Sequence, residues 1–353
     1  MEESGASHRD RLASHVTVGT RLSLLSDRRL AEAVAGAQPL GSGVGGRSAR
    51  LEVAGTPVFV KRVPLTELEL RPGHLRSTAN VFGLPLFYQY GIGSAGFGAW
   101  RELAAQLMTT GWVLREEYAG FPLLHHWRVL PDEPPSGFAD VFGGIDGAVA
   151  HWDGSRAVRR RLEAIGRASS SLVLFLEHVP HTLGAWLAEA RGTRGAADAR
   201  VYRWAEEALA RGTSFLRARG LVHFDTHFDN LLTDGHRVYF ADFGLALSRD
   251  FDLSPEESAF LTGHLDYDRA YAPAHLLRHH LLDRLRGEVP HEEFLRAWVA
   301  GRSPVAVPPG IAALVDRHAR ASLVLDDFLR LLLTRSKRTP VPAARLRQAL
   351  GTA

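Results

Sequence analysis

The chain has 353 residues, 45% of them hydrophobic and 23% charged, a composition that indicates a folded globular protein and excludes a disordered or fibrous one. It contains no Cys, so disulfides, thiolate nucleophiles and Cys-based zinc sites are excluded. The net charge is only +3, and the short basic stretches at 159–161 and 335–338 are typical of a solvated helix face or tail, so we expect no nucleic-acid partner.

At the N-terminus, MEESGASHRD lacks the basic stretch and apolar core of a secretory signal, and no later apolar run has the length of a bilayer span. We therefore expect a cytoplasmic protein without a membrane partner. The segment 1–38 is predicted to be partly helical, with Ser26 or Asp27 capping an amphipathic run. The next residues predict a strand, a glycine loop over 41–46, a second strand, a turn at AGTP and a third strand containing VFV.

Further along, apolar residues at helical spacing predict a helix over 99–114, whereas the Gly- and aromatic-rich segment before it predicts a loop. Residues 131–154, with PDEPPSG and several Gly, suggest a surface insertion, and SLVLFLEHV over 171–179 suggests a buried strand. The remaining chain is mainly helical in pattern. Helices are predicted over 181–190, 200–220, 275–287 and 321–335, and after a Ser254 cap with Pro255 in the first turn. The fold class is therefore predicted to be α+β, with a boundary near 178–182.

The stretch LVHFDTHFDNLLTDGHRVYFADFGLAL, residues 221–247, contains the most chemistry-bearing side chains. Taken alone, its alternating acids and histidines would lie on one face of a strand and could bind zinc or a pair of metals in a hydrolase. That interpretation leaves no role for Asn230, for Asp242 or for the upstream glycine loop. The alternating residues are His223, Asp225, His227 and Asp229.

Phosphoryl transfer from ATP explains more of the pattern. It needs a Gly-rich cover over the phosphates, a Lys on the third strand, an Asp that receives the acceptor proton, and an Asn and a second Asp for magnesium. A lone G-x-G-x-x-G is a weak signal in a chain with 34 Gly, but HFDTHFDN followed by DFG is a strong one. The sequence supplies these parts in chain order: Gly41, Gly43, Gly46, Lys61, Asp225, Asn230 and Asp242.

Residue scarcity strengthens this interpretation. The chain uses Arg for almost every cation and has Lys only at Lys61 and Lys337, and its only Asn residues are Asn80 and Asn230. Arg is a poor substitute for the third-strand Lys, because a broad planar guanidinium differs from a compact ammonium. A rare residue in each chemically required position is therefore informative.

These motifs resemble the protein-kinase-like superfamily, which includes eukaryotic-type protein kinases and aminoglycoside phosphotransferases, over residues of about 40 to 247. The resemblance implies a bilobal fold, with an N-terminal helical extension at 1–38, a strand-rich N-lobe at 39–178 and a mainly helical C-lobe at 179–353. It also implies ATP- and Mg²⁺-dependent transfer of the γ-phosphoryl group to an alcohol hydroxyl.

The resemblance assigns roles residue by residue. Asp225 would be the catalytic base or orient the acceptor hydroxyl, Asn230 and Asp242 would hold magnesium, and Lys61 would bind the α and β phosphates. In LEHVP, the backbone of Glu177 and Val179 would meet the adenine edge. Glu102 is our choice for the helix carboxylate that orients Lys61, with Glu67 or Glu69 as the alternative.

The pattern also departs from these families. Phe224 replaces the Arg that grips a phosphorylated activation loop, and no A-P-E follows, so we expect no switching by loop phosphorylation. His227, where Ser/Thr kinases place a Lys, resembles the aminoglycoside enzymes, whereas DFG and LEHVP resemble protein kinases. The acceptor is open: Ser or Thr of a protein or peptide, or a small-molecule hydroxyl. The acids Asp250, Asp252, Asp266 and Asp268 hint at a cationic one. A pseudokinase scaffold is a further alternative, against which the intact motif residues argue.

Overall fold

The structure, a computed structural model, describes residues 7–43, 46–194, 199–283, 285–303 and 306–351. The chain is mixed α+β, as the sequence predicts, and it divides into two compact units. The first unit comprises 1–179 with 241–258, and the second comprises 180–240 with 259–353. Residues 241–258, which contain Asp242, thus belong with the strand-rich unit, whereas the sequence-based division assigned them to the C-terminal part.

A five-stranded antiparallel sheet forms the centre of the first unit, with strand order β1-β2-β3-β5-β4. The three predicted strands, the turn at AGTP and the buried strand near 171–179 are confirmed, but Gly41 and Gly43 lie in β1 and Gly46 begins β2, so the glycine loop predicted over 41–46 is largely strand in its described residues. The sequence analysis missed the edge strand LHHWRVLP, because its paired histidines interrupt the alternation that marks a strand. The strands are β1 (Gln38–Gly43), β2 (Gly46–Val53), β3 (Thr56–Leu65), β4 (Leu124–Pro131) and β5 (Ser170–Glu177).

Both faces of this sheet are covered, which explains why residues 172–176 of β5 are all apolar. On one face, Val173 and Phe175 pack in a core with the helices α1 and α2; on the other, Leu172 and Leu174 pack with the helix α4. The predicted Ser26 cap and the helix predicted over 99–114 are confirmed. These helices are α1 (His8–Ser23), α2 (Asp27–Ala35), α3 (Glu67–Leu70) and α4 (Ala99–Leu114).

A buried carboxylate, Glu69, fixes the start of α4. It closes a capping box with Thr66, accepts a hydrogen bond from the Ala99 N–H at 2.8 Å and pairs with Arg161 at 2.7 Å. The expectation of a solvated basic face is therefore wrong for Arg161, which is 2% exposed, and Lys337 in the second basic stretch is also buried. Arg161 lies inward because it pairs with the buried Glu69 carboxylate, which would destabilise the fold if it were buried without a cation.

The predicted surface insertion at 131–154 is only partly on the surface. Its end forms a short helix followed by Trp152, which is fully buried and packs edge-on against Tyr88 with ring centroids 4.7 Å apart. Burial of a ring as large as that of Trp152 stabilises the fold, so this part of the segment packs inward despite the Gly residues that suggested a surface loop. The two helices of this region are α5 (Ile145–His151) and α6 (Arg156–Ile165), and the short strand β10 (Leu247–Ser248) also belongs to the first unit.

The second unit is mainly helical, with a small antiparallel sheet of order β6-β8-β9. The helix predicted over 275–287 is only partly present: α10 ends at Leu276 and a π-helical turn follows over Leu277–Leu281, where the Leu282 N–H donates to the Leu277 carbonyl. The helix α9 begins in the first unit, where Ser254 and Glu257 form a capping box as predicted, and ends in the second. Among the described residues, no helix is long and apolar enough to cross a membrane. The elements are β6 (His181–Thr182), α7 (Leu183–Arg194), α8 (Ala199–Ala218), β7 (Leu221–Val222), β8 (Leu231–Thr233), β9 (Val238–Phe240), α9 (Pro255–His264), α10 (Tyr267–Leu276), α11 (His291–Val299), α12 (Pro309–Thr334) and α13 (Ala343–Ala349).

Candidate functional site

A buried charge cluster joins three distant parts of the first unit. Lys61 lies on β3, on the face that packs with α4, and its Nζ donates to Glu102 Oε1 in the first turn of α4 at 2.7 Å. The same Nζ donates to Asp242 Oδ1 at 2.8 Å. Lys61 and Glu102 are buried, whereas the Asp242 side chain is 40% exposed. One rare Lys therefore holds two carboxylates that are 41 and 181 residues away in sequence.

The cluster contains one ammonium and two carboxylates, so it lacks one positive charge. Burial raises the pKa of Glu102 to about 7, and the attraction of Lys61 offsets this only in part. Burial opposes the charge of Lys61, but Asp242 and Glu102 outweigh that effect and raise its pKa above the ordinary value. Lys61 is thus charged at neutral pH, and Asp242 presents the exposed carboxylate of the cluster.

Of the glutamates weighed for the Lys61 partner, Glu102 is the one that contacts it. Glu69 is committed to Thr66, Ala99 and Arg161, and Glu67 is exposed in α3. Position explains the choice, because the start of α4 lies over the face of β3 that carries Lys61.

The segment after Asp242 is held by residues between β3 and α4. Asp242 itself has a left-handed backbone, φ 58°, which is uncommon for a residue other than glycine and concentrates at functional loops. Gln89 Nε2 donates to the Leu245 carbonyl, and Gly96 approaches Gly244 so closely that an added Cβ would lie 2.5 Å from its carbonyl oxygen. A buried ion pair between Arg101 and Glu257, at 2.6 Å, completes these contacts. These contacts hold the segment after Asp242 through side chains and backbone of the same unit.

The predicted glycine segment lies where β1 and β2 pair, with Gly43 opposite Gly46; Val44 and Gly45 lie outside the described residues. Gly46 has φ 122°, and a Cβ there would lie 2.2 Å from the Arg62 carbonyl oxygen, so the sheet itself requires glycine at this position. At Gly41 the nearest described atom to an added Cβ is Ser48 Oγ at 4.0 Å, so packing does not explain that glycine.

Glu177 ends β5, and Val179 is the last residue of the first unit before the chain enters the second. The Glu177 N–H donates to the Leu123 carbonyl, and its carboxylate takes a two-pronged contact from the buried guanidinium of Arg11 on α1, at 2.8 and 2.7 Å. The sequence analysis missed Arg11. Nothing in the sequence of α1, a helix with many polar residues, distinguishes Arg11 as a buried residue.

In the second unit, Asp225 and Asn230 lie in one loop. Asn230 Nδ2 donates to both the Asp225 carbonyl and its Oδ2, each at 3.0 Å, and His227 Nε2 is 3.6 Å from the same Oδ2. Asp225 Oδ1 is buried and has no hydrogen-bond partner among the described residues. A buried acceptor without a donor costs free energy, so this oxygen is poised for a hydrogen-bond donor or a cation.

Asp268 is the support of this loop that sequence reasoning missed. Its buried carboxylate accepts from the N–H groups of His223 at 2.6 Å and Phe224 at 3.0 Å. Phe224 has a left-handed backbone, φ 65°, and is fully buried against Phe260 and Tyr267. The aromatic contacts and the hydrogen bonds to Asp268 together stabilise Phe224 in this strained conformation, directly before Asp225.

The one-face arrangement of His223, Asp225, His227 and Asp229 is not present. β7 ends at Val222 and the loop that follows turns the side chains apart: His223 is buried, whereas the Asp229 side chain is 85% exposed. Across the described ranges, no group of three or more His, Asp or Glu is arranged to hold a metal ion. Asp234 accepts from the N–H groups of His236 and Arg237 and is a turn residue, as expected.

Comparison with known proteins adds no family assignment: no family model matches the chain, and no curated protein matches it significantly. The function therefore has to be argued from the site itself.

Proposed function

We propose that this protein is an ATP- and Mg²⁺-dependent phosphotransferase with a bilobal, protein-kinase-like fold that moves the γ-phosphoryl group to an alcohol hydroxyl. The observation that supports it most is the Lys61–Glu102–Asp242 cluster. Its three members are those that the motif comparison selects for the phosphate-binding Lys, its orienting Glu and a metal-binding Asp. An ion pair that served only the stability of the fold would need one carboxylate, whereas Lys61 contacts two, one of them 40% exposed.

The donor set fits magnesium. This ion takes hard oxygen ligands, usually one or two from the protein and the others from phosphates and water, so a cluster of three protein ligands is not required. Asp242 offers an exposed carboxylate beside a cluster with excess negative charge, and Asn230 offers an amide oxygen. When bound, the ion would neutralise phosphate charge that Lys61 alone cannot.

The other residues predicted for the site then have defined roles in the proposed reaction. Asp225 accepts the proton of the acceptor hydroxyl, and Asn230 holds its carboxylate in place. Lys61 binds the α and β phosphates, kept in position by Glu102. The proposal requires Asp225 and Asn230 to act on the same nucleotide as Lys61 and Asp242.

Nucleotide binding and turnover test this proposal separately. We expect ATP with Mg²⁺ to raise the melting temperature of the full chain, and Asp242→Ala to abolish that rise. Asp225→Ala should keep the rise but lose phosphoryl transfer by roughly a thousandfold, the scale of a positioned proton acceptor.

Matched controls are the exposed Asp229→Ala in the same loop as Asp225 and the exposed Asp250→Ala a few residues after Asp242. Full turnover by Asp225→Ala, or a metal-dependent rise retained by Asp242→Ala, would end the proposal. ATP binding without any consumption of ATP in the unmodified protein would favour the pseudokinase alternative instead.

A further inference from the structure

A cavity of about 450 Å³ opens within the second unit. Its walls are α10, the π-helical turn, the start of α11 and the last turns of α12. The volume lies in the range of small-molecule sites and is small for an extended peptide or a nucleic acid. The lining residues that matter below are Tyr271, His275, Arg278, Glu292, Asp326 and Leu329.

The cavity adjoins the loop that carries Asp225. His275 lines it, and the His275 ring lies 4.8 Å from that of Phe228 and 6.4 Å from that of His227. His227 in turn lies 3.6 Å from Asp225 Oδ2. Tyr271, also in the lining, is close enough to Asp225 for that carboxylate to add to the rise in its pKa that burial causes. The side chains of His275 and His227 would therefore lie between a molecule in the cavity and the Asp225 carboxylate, the proposed base.

Several buried polar atoms at this place have no hydrogen-bond partner among the described residues. They are Oδ2 of Asp326, Nδ1 of His275 and both ring nitrogens of the neighbouring His291. Asp326 has a side chain only 8% exposed; its other oxygen takes the Arg278 guanidinium at 2.5 Å, and its Oδ2 lies 3.7 Å from His291 Nε2. A buried polar group without a partner costs free energy. The Asp326 oxygen needs a donor, and a neutral imidazole needs one donor and one acceptor, so the cluster indicates a missing ligand that both donates and accepts hydrogen bonds.

The charges of the lining cancel. Arg278 pairs with Asp326, and Arg330 lies 4.0 Å from Glu292, which leaves two cations against two anions. Burial lowers the pKa of His275 to about 3, so this ring is neutral at physiological pH. A polycation would find no excess negative charge here, and a polyanion no excess positive charge.

The acids that hinted at a cationic acceptor do not alter this balance in the second unit. Asp266 is paired with Arg217 at 2.8 Å and with Arg269 at 2.9 Å, and Asp268 is occupied by the backbone before Asp225. Neither lines the cavity.

We propose that this cavity is the acceptor site and that it takes an uncharged, polyhydroxylated small molecule, a sugar or polyol. Hydroxyl groups donate to the Asp326 oxygen and the His275 nitrogen and accept from Arg278, while the leucines of α12 cover the apolar face of the ligand. This inference rests on the phosphotransferase proposed above.

In the reaction, the ligand extends from the cavity past His275 and His227, and its outermost hydroxyl gives its proton to the Asp225 carboxylate as its oxygen bonds to the γ-phosphorus. The bond from that phosphorus to the β–γ bridging oxygen breaks, and ADP leaves with the electron pair. The products are ADP and a phosphate monoester of the sugar or polyol.

Ligand binding without nucleotide tests the site by itself. The melting temperature of the full chain is measured with millimolar glucose, galactose, myo-inositol or adenosine, and in parallel with an aminoglycoside and with a Ser/Thr-containing peptide. We expect at least one uncharged probe to stabilise the protein saturably. Leu329→Trp, which fills the cavity, should abolish this stabilisation, and Asp326→Asn, which keeps the shape but turns the unpartnered acceptor into a donor, should weaken binding about tenfold.

Leu24→Trp, at an exposed leucine of the first unit, is the matched control and should bind as the unmodified protein does. The inference is overturned if no uncharged probe binds, if binding survives Leu329→Trp, or if only the aminoglycoside or the peptide binds. The rise caused by ATP with Mg²⁺ is measured on the same samples and should be unchanged in both cavity variants. ATP binding and consumption without sugar or polyol binding would refute the acceptor site alone, whereas sugar or polyol binding without ATP binding would refute the phosphotransferase.

Discussion

Replacing Glu102 by Gln tests the electrostatics of the Lys61 cluster directly. The carboxylate is 2% exposed, and its pKa rises from 4.5 in the unfolded chain to about 7 in the fold. Each unit between these values is worth about 1.4 kcal/mol, so the fold disfavours ionised Glu102 by about 3 kcal/mol above pH 7. The sign follows from proton binding: between these pKa values the folded state holds a proton that the unfolded state has lost, so stability falls as pH rises.

The Gln variant keeps the shape and one acceptor for Lys61 but cannot ionise. We therefore expect the free energy of unfolding of Glu102→Gln, minus that of the unmodified protein, to increase by about 3 kcal/mol between pH 4.5 and pH 7. Urea denaturation at a series of pH values measures both curves, and their difference cancels the titrating groups that do not interact with Glu102. Glu67→Gln, at an exposed glutamate on α3, controls for the loss of a carboxylate as such.

Parallel curves for Glu102→Gln and the unmodified protein would refute this reasoning, since they would mean that Glu102 titrates alike in the folded and unfolded states. The same variant should also lower phosphoryl transfer by about tenfold to a hundredfold, because Lys61 would lose the charged partner that orients it.

Three further predictions follow from the buried contacts. Asp268→Asn should reduce the turnover number at least about tenfold with little change in ATP affinity, because one of the two loop N–H groups loses its acceptor; an equal loss of ATP affinity would contradict this. Arg101→Met should lower the free energy of unfolding by about 3–5 kcal/mol, since it leaves Glu257 buried without its partner, and Arg101→Met with Glu257→Gln should recover part of that loss in urea denaturation. Burial lowers the pKa of His264 from 6.5 to about 4, so the neutral ring stabilises the fold above pH 6.5 and this contribution is lost as pH falls. We expect His264→Gln to lose about 2 kcal/mol less stability than the unmodified protein when the pH is lowered to about 5. An unchanged midpoint of acid unfolding would contradict this.

The absence of phosphate-dependent switching stays a prediction, to which the structure adds a physical reason. Residues between β3 and α4 already fix the segment after Asp242, through Gln89, Gly96 and the Arg101–Glu257 pair. Mass spectrometry of active protein should find no obligatory phosphosite between 245 and 262. Such a site would show that these contacts are insufficient.

Much of the fold and of the candidate site was predictable because the responsible signals are local. Alternating and helical periodicities located β1–β3, β5 and α4, and Ser254 marked the start of α9. The motif with Asp225 and Asn230 is contiguous, so it could be recognised without knowledge of the fold. The two lysines of the chain made Lys61 conspicuous.

Tertiary packing decided the rest, because burial of a charge depends on partners that no local pattern reveals. Which glutamate meets Lys61, why Arg11 and Arg161 lie inside, and why Asp268 is a loop support rather than a surface acid all depend on residues brought from far along the chain. The cavity beside the Asp225 loop is of the same kind, since helices distant in sequence form its walls. The sequence alone determined which chemical groups are present and in what order. The tertiary structure decided which of them are desolvated together, and desolvation sets their charge, their partners and their chemistry.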